Sequence, residues 1–191
     1  MKYLTYLLIS FIGVTVSCNK PGVQKVYTLS QETTDFFVNY DTGTCWVFQD
    51  TLHTNKYDTI ELVNKEPINL NNAGLFKGFR LDFTPTKSKN YEIRVNPTSN
   101  GSSNVTIDPL VSASGLLTAV ENNNQWTSGA IYYDSLLVGK TIYHNVLSFQ
   151  GATLYFLRVI YAKNVGLVSF QSLDSHGGTL GMYILVRIFK K

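Results

Sequence analysis

The chain has 191 residues, 16 of them Lys or Arg and 13 Asp or Glu; the net charge of +3 is too mild, and the basic residues too scattered, for a nucleic-acid surface. Charged residues make up only 15% against ~25% in an average globular protein, while aromatics reach 13%. The length suits one domain with a real core, and the aromatic-rich mix suits the pleated, half-buried surface of strands.

Met1 to Ser17 reads as a signal segment. Lys2 supplies a positive charge, Tyr3 to Val16 is an apolar run of 14 residues interrupted only by small or hydroxylated side chains, and Val16-Ser17-Cys18 closes it. The run is shorter than the ~20 residues a helix needs to cross a bilayer. Thr15-Val16-Ser17-Cys18 resembles a bacterial lipobox, with Thr15 where Leu is usual and Ser17 where Gly or Ala is commonest. The resemblance implies cleavage before Cys18, a diacylated Cys18 thiol as the lipid-attachment site, and an outer-membrane address. The competing reading is a plain secretory signal in which Cys18 is incidental. If Cys18 carries lipid, Cys45 is alone and no intramolecular disulfide forms. Residues 18–25 (Cys-Asn-Lys-Pro-Gly-Val-Gln-Lys) then form a lipidated flexible tether, and 26–191 a single β-rich domain. Lipoproteins exported to the cell surface often carry acidic residues after the cysteine. This tether has none, so the expected side is the periplasm.

Val26 to Tyr40 is mixed, with Asp35 to Tyr40 a short strand or a packed entry loop. Trp46 and Phe48 alternate with Cys45, Val47 and Gln49 as a strand, Leu52 to Asn55 is a polar hairpin loop, and Tyr57 to Lys65 is a second strand. In Phe79 to Phe83 the apolar residues are odd-numbered and the charges even-numbered; Tyr91 to Val95 repeats the phase, giving one wet and one dry face. Asn96 to Asn104 is a loop. Val105 to Val120 is two strands, or one strand and a helical turn, and Glu121 to Gln125 is another loop. Ala130 to Val138 and Thr141 to Phe149 flank a turn at Gly139-Lys140. Leu154 to Ala162 is apolar on both faces and predicts a central, covered strand. Val165 to Phe170 and Leu180 to Phe189 complete about ten strands with no convincing amphipathic helix. This predicts an all-β fold, either a single antiparallel β-sandwich or a strongly curved meandering sheet.

Three stretches resemble motifs of small envelope lipoproteins of the Bacteroidota. Trp46-Val47-Phe48-Gln49-Asp50 with Asp58-Thr59-Ile60 is similar to their "W-x-Y-x-D … D-T-I" opening. Val138 to Leu147 resembles their "G-K-x-Y-x-N-V-L" hairpin. Tyr161 to Phe170 resembles their "Y-A-K-G-V-G-L-V-K-F" close, with Asn164 in place of the usual Gly. The resemblance implies an envelope lipoprotein and carries no catalytic motif. Physically, Gly166 permits a left-handed backbone and Asn164 is the non-Gly residue that best tolerates one, so the last motif reads as a hairpin-forming signature.

No chemistry stands out. His53, His144 and His176 have no second ligand at metal spacing. Asp174-Ser175-His176 holds the letters of a hydrolase triad, but adjacent residues cannot converge as a triad must. Asp35, Asp41, Asp50 and Asp58 lack the alternating ligand loop of a calcium site. Cys45 reads as a small buried apolar residue. No catalytic, cofactor or metal residue is nominated. The surplus of aromatics (Trp46, Trp126, Tyr132, Tyr133, Tyr143, Tyr155 and Tyr161) either fills a core or lines a groove for an acyl chain or glycan.

The leading expectation is a non-enzymatic, lipid-anchored envelope module that binds or scaffolds an envelope protein, glycan or lipid. It touches the membrane through its acyl chains and takes no nucleic acid. A carrier cradling a hydrophobic ligand in a curved sheet is the alternative, and a hydrolase ranks third. Trp46 and Tyr161 should lie in the core with Leu157, and Arg158 should reach the rim or pair with Asp134 or Glu121.

Overall fold

The computed structural model describes residues 24–71, 74–86, 90–109, 117–150, 156–173 and 179–191. The signal segment, Cys18 and the first part of the tether lie outside these residues, as do the loop holding His176 and the side chain of Leu157.

Among the described residues the fold is all-β: thirteen strands in one curled sheet, with one short helix. The elements are β1 (Val26–Thr28), α1 (Gln31–Phe37), β2 (Thr44–Asp50), β3 (Tyr57–Asn71), β4 (Leu75–Pro85), β5 (Tyr91–Pro97), β6 (Ser103–Pro109), β7 (Leu117–Asn122), β8 (Gln125–Thr127), β9 (Ala130–Val138), β10 (Thr141–Gln150), β11 (Phe156–Ala162), β12 (Gly166–Leu173) and β13 (Thr179–Lys190). Across the sheet the order is β8-β7-β6-β5-β4-β3-β2-β13-β12-β11-β10-β9, with β1 beside β4. Two antiparallel meanders, β2 to β8 and β9 to β13, are zipped together where the last strand pairs with β2. The sheet's two ends, β8 and β9, are consecutive in the chain and close in space, so the meander curls into a nearly closed barrel.

The curved-meander expectation therefore holds, and the sandwich does not: a single sheet supplies both walls. The expected ten strands become thirteen. Two of the extra strands, β1 and β8, have three residues each, too few to show a period of two. The end of the tether is also tied down sooner than expected, since Leu75 N–H donates to Lys25 C=O at 2.8 Å.

The helix α1 was not expected. Its N-cap is Ser30, whose side chain accepts from Thr33 N–H at 3.1 Å. Seven residues containing two threonines form no stable helix alone; burial of Phe36 and Phe37 holds it. Those rings plug the barrel. Phe37 meets Tyr161 at 5.1 Å, Trp126 at 5.9 Å and Phe149 at 6.2 Å between centroids, so it touches β8 from one end of the sheet and β10 and β11 from the other. Lys163, after β11, bonds Glu32 and lies 3.4 Å from Asp35, and Asn164 N–H donates to Asp35 C=O.

The inward faces follow the predicted alternation. Trp46 and Phe48, Ile60 and Leu62, Leu81 and Phe83, Tyr91, Ile93 and Val95, and Val105 and Ile107 fill the interior with the α1 rings. Val159, Ile160, Tyr161 and Ala162 are all buried, so β11 is covered on both sides, as its sequence predicts. The outer cover comes from the β9–β10 hairpin. Leu136, Val138 and Tyr143 should share a face with Leu147 and Phe149, yet they join Val146, Ile160, Val168 and Ile184 in a second cluster outside the sheet. The switch falls at Asn145, which has a φ of 52°. Beyond it the hairpin lies over the outer face, where a Cβ on Gly139 would sit 2.8 Å from Ile184 Cδ1.

Candidate functional site

Among the described residues, the barrel interior holds one small apolar space beside α1. This cavity, bounded by Phe36, Phe37, Tyr40, Trp46 and Tyr161 among others, has about 10 Å³ of free space, roughly enough for one water. Trp46 and Tyr161 are buried as expected, and Trp126 packs against the same core. Tyr133 and Tyr143 join the outer cluster, while Tyr132 is exposed. Tyr155 lies outside the described residues. Among the described residues, Trp46, Trp126 and Tyr161 thus belong to the inner core, Tyr133 and Tyr143 to the outer cluster, and Tyr132 to the surface.

The three motif stretches serve the fold. Trp46 Nε1 donates to Val165 C=O at 2.9 Å across the β11–β12 turn, where Asn164 (φ 59°) and Gly166 (φ 87°) both take left-handed backbone. A Cβ on Gly166 would press on Trp46 Nε1 at 3.1 Å and on Tyr40 at 3.2 Å. Opening and closing motifs therefore meet. In the middle motif Asn145 makes the bend, and Val146 and Leu147 are fully buried on opposite faces.

The polar residues considered for chemistry find separate partners. Asp50 accepts from Leu52 N–H at 2.8 Å and lies 2.9 Å from His53 Nδ1. Burial alone pushes its carboxyl up, but these hydrogen bonds outweigh it and the pKa lies below the usual value. Asp58 accepts from the backbone and hydroxyl of Thr86, Asp35 faces Lys163, and Asp41 faces Lys190. Among the described residues no group of three His, Cys, Asp or Glu is placed to hold a metal. His144 Nδ1 lies 2.9 Å from Ser135 Oγ. Burial, with Glu61 nearby, pushes the Cys45 thiol up, which suits an inert buried residue. Arg158 takes neither carboxylate suggested for it; its Nε donates to Ser148 Oγ at 3.0 Å.

A concave surface that sequence reasoning did not nominate lies on the outer face of β3, β4 and β5. Glu66, Ile68, Leu70, Arg80, Arg94 and Asn96 line a trough of about 330 Å³. The cross-strand register sets Glu66 opposite Arg80 and Arg80 opposite Arg94. Arg80 Nη2 lies 3.2 Å from Glu66, and Arg94 Nε contacts the buried Glu92. Asn96 crosses over Gly78, where a Cβ would meet Val95 C=O at 2.3 Å, and its buried Oδ1 has no hydrogen-bond donor. The trough offers guanidinium donors and carboxylate acceptors beside an apolar strip, and it holds no nucleophile–base pair. Its sequence signal was the even-numbered charges of β4 and β5, which marked a wet face but not a concave one.

Compared with known proteins, the chain matches no family model, no curated protein and no solved structure.

Proposed function

We propose that this protein is a lipid-anchored module of the bacterial cell envelope, acylated at Cys18, that binds or scaffolds an envelope partner without catalysing a reaction. The observation that carries the reading is the N-terminal order: charge, short apolar run, then Ser17-Cys18 a few residues ahead of a folded domain. Two or three acyl chains at ~0.8 kcal/mol per buried methylene hold a protein on a membrane durably. The three motif resemblances support the same address. Binding at the outer surface, with the β3–β5 trough as the concave part of that surface, agrees with an interior filled by α1. A carrier of hydrophobic ligands would need a chamber, whereas the apolar cavity beside α1 has space for about one water.

Cell fractionation of Cys18→Ser tests the anchor. The variant is expected in the soluble fraction, or as an unprocessed precursor. Wild-type maturation together with wild-type membrane association would overturn the reading.

A further inference from the structure

On the outer face of β3, β4 and β5 the cross-strand register sets side chains in rows. One row is acidic: Asp82 lies opposite Glu92, and Glu92 opposite Asp108 of β6. The next is Glu66, Arg80 and Arg94. In the third, Ile68 lies opposite Gly78 and Asn96 crosses over that glycine, so the surface dips where a side chain is missing. The trough runs from the arginine row across this dip to Leu70.

The acidic row fixes the arginines. Arg80 Nε lies 3.3 Å from Asp82, and Arg94 Nε contacts the buried Glu92. Arg94 is 51% exposed, and among the described residues its two terminal amino groups have no protein partner. Glu66, 54% exposed, stands at the other end of the row, 3.2 Å from Arg80 Nη2. Solvent-facing donors and acceptors are thus held two strand spacings apart, ~10 Å, beside the apolar strip of Ile68 and Leu70.

Ligand chemistry follows from this arrangement. At the polar end two guanidiniums stand among four carboxylates, Glu66, Asp82, Glu92 and Asp108, so a phosphate or other anion gains nothing from the local field. A cation would meet the free amino groups of Arg94. The strands of the floor, β4 and β5, are paired on both sides, so recognition falls to side chains and not to an added peptide strand. A sugar hydroxyl carries no charge, accepts from a guanidinium and donates to a carboxylate, and the C–H face of a pyranose ring suits an aliphatic strip.

We propose that the trough binds a neutral glycan. Its hydroxyls accept from the Arg94 amino groups and donate to Glu66, and a ring face rests on Ile68 and Leu70. A volume of about 330 Å³ is at the small end for ligand sites and takes a short piece of a longer glycan. The inference rests on the reading of the protein as a binding module and is independent of the lipid anchor.

The test uses the full chain, extracted in a detergent without a sugar headgroup. Native gels are cast with dextran, mannan, galactan or xylan, and with dextran sulfate or diethylaminoethyl-dextran as charged counterparts. At least one neutral polysaccharide should retard the protein, more strongly than either charged dextran. Arg94→Lys keeps a positive charge beside Glu92 but loses the planar fork, and Glu66→Gln removes the acceptor charge at an exposed position. Each should weaken retardation ~10-fold, with thermal unfolding near that of wild type. Arg187→Lys, on β13, should bind as wild type does. So should Cys18→Ser, which separates failure of the anchor from failure of glycan binding. Two results would overturn the proposal: no retardation by any neutral polysaccharide, or neutral binding that either trough variant retains in full.

Discussion

Asp50 shows how a buried charge is kept in this protein. Its side chain is 1% exposed, and its carboxylate is held by the β2–β3 loop, through Leu52 N–H and His53. These contacts favour the charged form, and they set its folded pKa below the ordinary 3.8. A carboxyl lowered on folding stabilises the native state above its unfolded pKa and loses that contribution as pH falls through the lower folded value. Asp50→Asn should therefore lower stability at neutral pH by ~1.5–3 kcal/mol, the usual worth of hydrogen bonds to a charged group. The deficit relative to wild type should shrink as the medium is taken below pH 3.8. Denaturant unfolding of both proteins across that range measures it; a pH-independent difference would mean that the carboxylate's charge is not what the loop recognises.

At the scale of elements, α1 is the piece that sequence reading missed and the barrel needs. It bridges the two ends of the sheet through aromatic edges, and its cap and its plug should differ in weight. Phe37→Ala removes the ring that touches Trp126, Phe149 and Tyr161, and should cost ~3–5 kcal/mol as large-to-small core changes do. Ser30→Ala removes one N-cap bond and should cost ~1 kcal/mol. Equal losses in urea unfolding would show that α1 adds no plug. The β9–β10 hairpin is the second element whose role exceeds its pattern. The bend at Asn145 turns its distal half into an outer cover for β11 to β13, which is why Val159 to Ala162 can be apolar on both faces within a one-sheet fold.

For the whole molecule, the proposed anchor at Cys18 carries an expected side of the membrane. The tether places Lys20 and Lys25 after Cys18 and no acidic residue before Val26. Proteinase added to intact cells should leave the protein whole, and permeabilised cells should lose it at the exposed β2–β3 loop, Thr51 to Lys56. Rapid digestion in intact cells would place it on the cell surface instead.

The sequence by itself determined much of the wall. Alternation in Trp46 to Asp50, Phe79 to Phe83 and Tyr91 to Val95 was enough to assign strands and faces, because a side-chain period of two is a local property of extended backbone. Left-handed backbone at Asn164 and Gly166 was legible for the same local reason. What only the tertiary structure decided depends on contacts between distant segments. Seven residues of α1 carry no readable period, and their helix exists because Phe36 and Phe37 have a barrel to fill. Whether strands make one sheet or two depends on the last strand finding β2, a pairing between Leu185 and Phe48 that no local pattern encodes. The trough of Glu66, Arg80 and Arg94 arises from register across three strands. Among the described residues β9 pairs on one side only, because the curl stops just short of closing. Pairing, register and closure are set by the summed packing of side chains from separate parts of the chain, and local alternation is silent about that sum.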